Sequence, residues 1–297
     1  LAVLPLADEV WLNSITSQFH VTLAVAILLA APVCRGRARW LHRAVLLLAP
    51  LCGPVAGTLL PLFALRAWLD RSRGRACQAA LLLPALLVQL VVMLLHPEPM
   101  RSVAPFDLPM VLAAITGKQI LLPLLGPTVA NRLMMGVAAV FAAGRWQVAA
   151  MLAPMLWFGV GAWVARRSRD AATRWLFVGG VAVMAISYAG ALTPAGSRQL
   201  LILGFGLRYY FVPAALFGLA GFGAAAAGRV PERRLAGLLM AWLLLVGVAY
   251  FRLPQALMAH GPDWRQQVAE WRENPAHPLA IWPAGWVVRL PGGPPAP

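Results

Sequence analysis

Leu192-Thr193-Pro194-Ala195-Gly196-Ser197-Arg198-Gln199, then Leu200 to Leu207, then Arg208-Tyr209-Tyr210-Phe211-Val212-Pro213 hand a polar loop over to an apolar segment that continues through Gly223 on Ala, Gly, Leu and Phe. Guanidinium and phenol groups suit the headgroup layer of a bilayer, and Pro is tolerated in a first helical turn, whose N–H groups have no intrahelical partner. The stretch therefore reads as the place where a membrane helix starts at the water interface. Its plan repeats outward along the chain.

Composition agrees with that plan. The 297 residues are 61% hydrophobic and only 12% charged, with mean hydropathy +0.73, too apolar for an ordinary soluble domain and repeatedly apolar over runs near the length a bilayer requires. A net charge of +15 would point a soluble chain toward nucleic acid, but here the arginines sit in short clusters between apolar runs, where they act as topology signals. No nucleic-acid partner is expected. Cys34, Cys52 and Cys77 show neither paired nor metal-like spacing and read as packing residues. No charged leader and cleavage site precede the first apolar run.

Six full spans are expected, over residues 19–34, 77–96, 148–165, 175–192, 208–227 and 235–251. Residues 44–66 are apolar but broken at Pro50, Gly53-Pro54, Gly57 and Pro61, with arginines on both flanks, so they read as a re-entrant hairpin entering and leaving on one side. Residues 97–147 read as an outer loop of short amphipathic helices on the membrane surface, with a concealed helical hairpin as the alternative, and 193–207 as a second outer loop. The fold class is thus all-α, a polytopic membrane bundle of residues 1–252 followed by a short periplasmic tail, 253–297. In that tail Trp264, Val268 and Trp271 share one helical stripe, Leu279 to Val288 is extended, and the end is rich in Pro and Gly.

Threaded this way, 15 of the 25 Lys and Arg fall in four short loops (35–43, 66–75, 166–174 and 229–234), which the positive-inside rule makes cytoplasmic. The expected location is a bacterial inner membrane, with the carboxy terminus outside. Seven of the ten acidic residues share that outer face.

Candidate chemistry gathers there. Arg208, with Tyr209 and Tyr210, can meet a lipid phosphate together with free backbone N–H groups, and Arg198 offers a second guanidinium. Asp8 and Glu9, just before the first span, can supply a general base or a ligand for a divalent metal, the one cofactor left open. Lys118, the chain's single lysine, reads as a contact to anionic headgroups. His96, Glu98 and Asp107 form a weaker acidic group, and Gln18 and His20 open the first span. The chain carries no Walker A loop, dinucleotide fingerprint, nucleophile elbow or zinc-protease motif, and charges inside the spans are too scarce for a proton relay.

A broken hairpin, a long outer loop with amphipathic segments and the Arg208-Tyr209-x-x-x-Pro213 helix start resemble polytopic glycosyltransferases of the GT-C fold. The resemblance implies transfer of a sugar from a polyprenyl-phosphate donor to a glycan or lipid acceptor at the outer face. Asp8 or Glu9 would then be a remnant of the family's catalytic first outer loop, and an amino-terminal helix would lie upstream. Two other classes fit the same threading: an O-antigen-type polymerase or ligase, and a non-enzymatic scaffold or transport accessory docked through its tail tryptophans.

Overall fold

A computed structural model describes residues 17–96, 107–142, 147–191, 198–251, 262–281 and 286–290. The chain divides into two compact units, Leu1–Tyr250 and Phe251–Pro297. The first is an all-α bundle.

Helix α1 (Ser17–Ala30) lies at its centre. Phe19, Leu23, Val25, Ala26, Leu28 and Leu29 are buried around most of its circumference, with Ile27 on the open side, as suits a helix with no polar face. Next come α2 (Arg37–Leu48), a 3-10 turn (Ala49–Cys52), the single turn α3 (Pro54–Gly57) and α4 (Leu60–Asp70). Gly53, between the turn and α3, approaches the Gln18 side chain so closely that a Cβ has no room there. At the other end Arg66 donates to the Leu29 carbonyl. The broken hairpin therefore runs along α1, its tip beside the start of that helix and its feet beside the end.

Helix α5 (Arg73–Leu95) starts on the Ser72 side chain, which accepts the Arg75 N–H at 3.5 Å, and turns Leu83, Leu87, Val88, Leu90 and Val91 outward. An apolar face of that extent is at home in hydrocarbon rather than water. Among the described residues five helical stretches are long and apolar enough to cross a membrane: Arg73–Leu95, Leu108–Val140, Ala171–Gly190, Arg208–Ala227 and Val230–Tyr250.

The second of these departs from the expected row of short surface helices. Helix α6 (Leu108–Ile115), capped by Asp107, passes through a π-helical turn (Thr116–Leu121) into α7 (Leu122–Ala142), which breaks at Gly126 (φ 71°) just before Pro127. A positive φ is what glycine tolerates, and proline suits the first turn of the helix that follows. A Cβ on Gly117 would sit 2.5 Å from Met134 Sδ, although on a straight helix the two residues would be about 25 Å apart. The segment therefore doubles back at Gly126 as a helical hairpin. Its polar interruptions, Lys118 and Gln119, are buried instead of lying on a surface.

Helices α8 (Gln147–Arg167), α9 (Ala171–Gly190), α10 (Arg208–Ala227) and α11 (Val230–Phe251) follow in the same unit. Asp170 caps α9 by accepting the N–H groups of Ala172 and Thr173 at 3.0 and 3.2 Å. Small residues bring α9 and α10 together antiparallel, with Gly180 against Phe217 and Gly223 against Thr173. Arg167 meets Glu232 at 3.3 Å, and the Arg66 guanidinium lies 5.3 Å from the Trp175 ring. The turns at 66–75, 166–174 and 229–234 thus gather at the end of the bundle where α1 finishes.

The second unit, described by itself, holds α12 (Trp264–Glu273), capped by Asp263, and a two-stranded antiparallel hairpin of β1 (Leu279–Ile281) and β2 (Trp286–Val288). Gln267 Oε1 accepts the Ala280 N–H at 2.8 Å and Glu270 meets His277 at 3.1 Å, tying the helix to the chain entering β1.

Candidate functional site

The start of α10 is built by its preceding turn. Gly206 has φ 68°, and its carbonyl accepts the Tyr209 N–H at 3.0 Å, while Leu207 receives Tyr210 and Phe211. Arg208 leaves this turn with its guanidinium 5.1 Å from the Tyr209 ring, which meets Phe19 of α1 edge-on at 6.3 Å. His20 and Phe211 pack at 5.2 Å. The starts of α1 and α10 therefore lie together, at the end of the bundle opposite the arginine-dense turns.

The π-turn holds this end from the other side. Lys118 is fully buried and its Nζ donates to the Phe205 carbonyl, one residue before Gly206. Gln119 Nε2 donates to the Tyr210 carbonyl at 3.4 Å. Tyr188, near the end of α9, approaches both Gln119 and Tyr210. Among the described residues the Tyr210 hydroxyl finds no hydrogen-bond partner, and the Tyr188 hydroxyl faces the Gln119 side-chain amide. An unmatched buried polar atom costs about 1–3 kcal/mol, which makes this polar cluster a candidate place for a ligand. A π-turn and an ionisable residue inside an apolar bundle carry the same implication.

Gln119 and Tyr210 also close one end of a cleft of about 290 Å³ between α7, α8, α10 and α11. From Tyr210 the cleft follows α10 through Ala214 and Gly218 to Ala224, a length of about 21 Å at the helical rise. Its walls are otherwise apolar, with Phe217 meeting Phe158 and Phe177 at ring-centroid distances of 5.2 and 5.6 Å in tilted contacts. Such a groove accepts a long hydrocarbon chain and offers hydroxyl and amide groups at one end only.

Of the residues singled out in the sequence, Arg208, Tyr209, Tyr210 and Lys118 come together here. Tyr210 is buried rather than interfacial, and Lys118 binds the chain itself rather than facing a headgroup layer. Arg198 opens the 3-10 turn Arg198–Leu201, and its side chain lies outside the described residues, as do Asp8, Glu9 and Glu98. Asp107 caps α6, accepting the Met110 N–H at 3.0 Å. Among the described residues no three His, Cys, Asp or Glu side chains are grouped to hold a metal. Gln119 and Tyr188 were missed; the signal available was a lysine and a glutamine side by side with no acid near them, amid apolar residues on both flanks.

At the arginine end, Asp70 is shared by Arg66 at 3.2 Å and Arg75 at 3.6 Å. Burial lowers the Arg66 guanidinium from its ordinary pKa, and the hydrogen bond and charge of Asp70 oppose that shift. The chain matches no protein-family model, no curated protein and no solved structure.

Proposed function

We propose that this chain is a glycosyltransferase of the bacterial inner membrane that takes a sugar from a polyprenyl-phosphate donor. The groove between α10 and α11 holds the isoprenoid tail, and the headgroup lies beyond Tyr210, at the end carrying Arg208. The observation that carries this reading is the groove itself: apolar over about 21 Å, closed by Gln119 and Tyr210, and adjoining a helix start with a guanidinium on it. An anionic headgroup stays at the interface and the tail in an apolar environment, so no phosphate is buried in hydrocarbon. By the positive-inside rule the arginine-dense end faces the cytoplasm, which puts Arg208 and the tail of the chain on the outer side.

In the reaction, Arg208 and Arg198 bind the phosphate and stabilise the charge that grows on it as the bond from the anomeric carbon to its oxygen breaks. Tyr209, stacked under Arg208, orients that guanidinium. Asp8 or Glu9 takes the proton from the acceptor hydroxyl as its oxygen bonds to the anomeric carbon. The acceptor is a glycan or a lipid.

The test uses the full chain in liposomes with a radiolabelled polyprenyl-phosphate sugar and a membrane acceptor fraction. Transfer is expected to fall at least about 100-fold in Arg208→Ala, the range seen on removing one charge-stabilising donor. Unchanged transfer in that variant, with the protein intact, overturns the assignment.

A further inference from the structure

The arginine end of the bundle holds a second cleft, of about 330 Å³, between the segment after α1, the first turns of α2 and the start of α5. Arg35, Arg39, His42 and Arg43 line it, with Ser72 and Gly74 from the capped start of α5, and no acidic side chain among the lining residues. Asp70, the carboxylate that ends α4, is engaged by Arg66 and Arg75. The Arg39 and Arg43 guanidinium groups lie 5.6 and 5.0 Å from the Trp40 ring. Trp40 and Leu41 are themselves 63% and 66% exposed, the profile of a helix lying at headgroup depth with its cations beside it.

We infer that this cleft binds the phosphate ester of an anionic glycerophospholipid headgroup, with α2 lying in the headgroup layer. Three properties meet here: several guanidinium groups in one concavity, the positive end of a 23-residue helix beside them, and the exposed apolar side chains Trp40 and Leu41 on the helix that carries Arg39 and Arg43. None of the three depends on the groove at the far end of the bundle, and a phosphate held here does not react. A free phosphate-bearing solute shares the same chemistry, so the experiment separates the two sources.

Cys34 and Cys77 line the cleft, whereas Cys52 is exposed and does not line it. With the full chain in a nonionic detergent, maleimide labelling of each cysteine is followed by peptide mass spectrometry. Dihexanoyl phosphatidylglycerol is expected to slow Cys34 and Cys77 and leave Cys52 unchanged, while dihexanoyl phosphatidylcholine and inorganic phosphate at matched concentration protect neither. The double variant Arg39→Gln/Arg43→Gln is expected to need roughly 30-fold more anionic lipid for the same protection, and Arg234→Gln none. Equal protection by the zwitterionic lipid, or a double variant that is protected like the native chain, overturns the inference. Protection by inorganic phosphate alone reassigns the cleft to a soluble phosphate and overturns the lipid headgroup. If the double variant does not stay monodisperse, the three native-chain arms still decide.

Discussion

The Arg75 guanidinium donates to the carbonyl oxygen of Ala31 at 2.6 Å, across 44 residues of chain, and reaches the Leu28 carbonyl at 3.4 Å with its other nitrogen. The last carbonyls of a helix have no partner within it, and a cation there also meets the negative end of the dipole. Pro32 prevents α1 from continuing, so its end depends on donors from elsewhere. Arg75→Ala is expected to lower stability by about 3 kcal/mol, since each hydrogen bond to a charged donor contributes roughly 1.5–3 kcal/mol and the buried Leu28 and part-buried Ala31 carbonyls both lose theirs. Arg75→Lys recovers only part, because one ammonium cannot span both carbonyls. Thermal unfolding in detergent measures both; a native-like midpoint for Arg75→Ala would mean the arginine does not cap α1.

Lys118→Met should separate packing from function. Removing the buried cation relieves its desolvation while the carbonyl it bonded loses a charged donor, so the two effects oppose each other and a change within roughly 2 kcal/mol is expected. The Phe205 carbonyl loses its donor, however, and the turn that aims Arg208 loses its tie to the π-turn. Faster amide exchange over residues 202–209 and weaker capture of a photoactivatable polyprenyl phosphate are the expected outcomes. Native exchange rates in that turn would leave Lys118 without a positioning role.

Gly206 and Gly204 form a matched pair. Gly206 has φ 68°, and a Cβ on it would sit 3.0 Å from the Tyr209 ring; on Gly204 a Cβ meets nothing within 4 Å. A left-handed conformation costs an L residue roughly 1–2 kcal/mol. Gly206→Ala should therefore lose about that much, more if Tyr209 must move from under Arg208, and Gly204→Ala should lose almost nothing. Unfolding midpoints of the two variants, measured side by side, check the difference.

What the sequence made legible is what short-range chemistry determines. Apolar runs between arginine clusters announced a helical bundle with membrane-spanning stretches, and Arg208 to Pro213 announced the start of α10 because the interface and the helix terminus both act within a few residues. The hairpin at 108–142 was obscured because Lys118, Asn131 and Arg132 break the apolar run into pieces that look too short to span. Lys118 is buried only because a carbonyl 87 residues away receives it. Spacing along the chain carries no trace of such a partner. The same holds for Tyr188 and Gln119, ordinary on their own helices and notable only once α9 and the π-turn bring them together. Gly126-Pro127 was the one local signal of the fold-back, a left-handed residue followed by a helix starter.

The groove can be closed without disturbing the helix that forms it. Gly218 lines the groove halfway along α10, and a Cβ there meets nothing within 4 Å, so a large side chain projects into open space. Gly221, one turn on, is unsuitable, because a Cβ would already press on Met240 at 2.6 Å. Glycine inside a helix is less favourable than most residues by several tenths of a kcal/mol, so Gly218→Phe is expected to be as stable as the native chain or slightly more so. Its phenyl ring occupies volume that an isoprenoid tail would need, and both photocapture of polyprenyl phosphate and sugar transfer should drop at least about tenfold, equivalent to about 1.4 kcal/mol of lost binding. Because stability and function are expected to move in opposite directions, misfolding cannot imitate the result. A stable Gly218→Phe protein that still captures the lipid at the native level would show that the tail lies elsewhere.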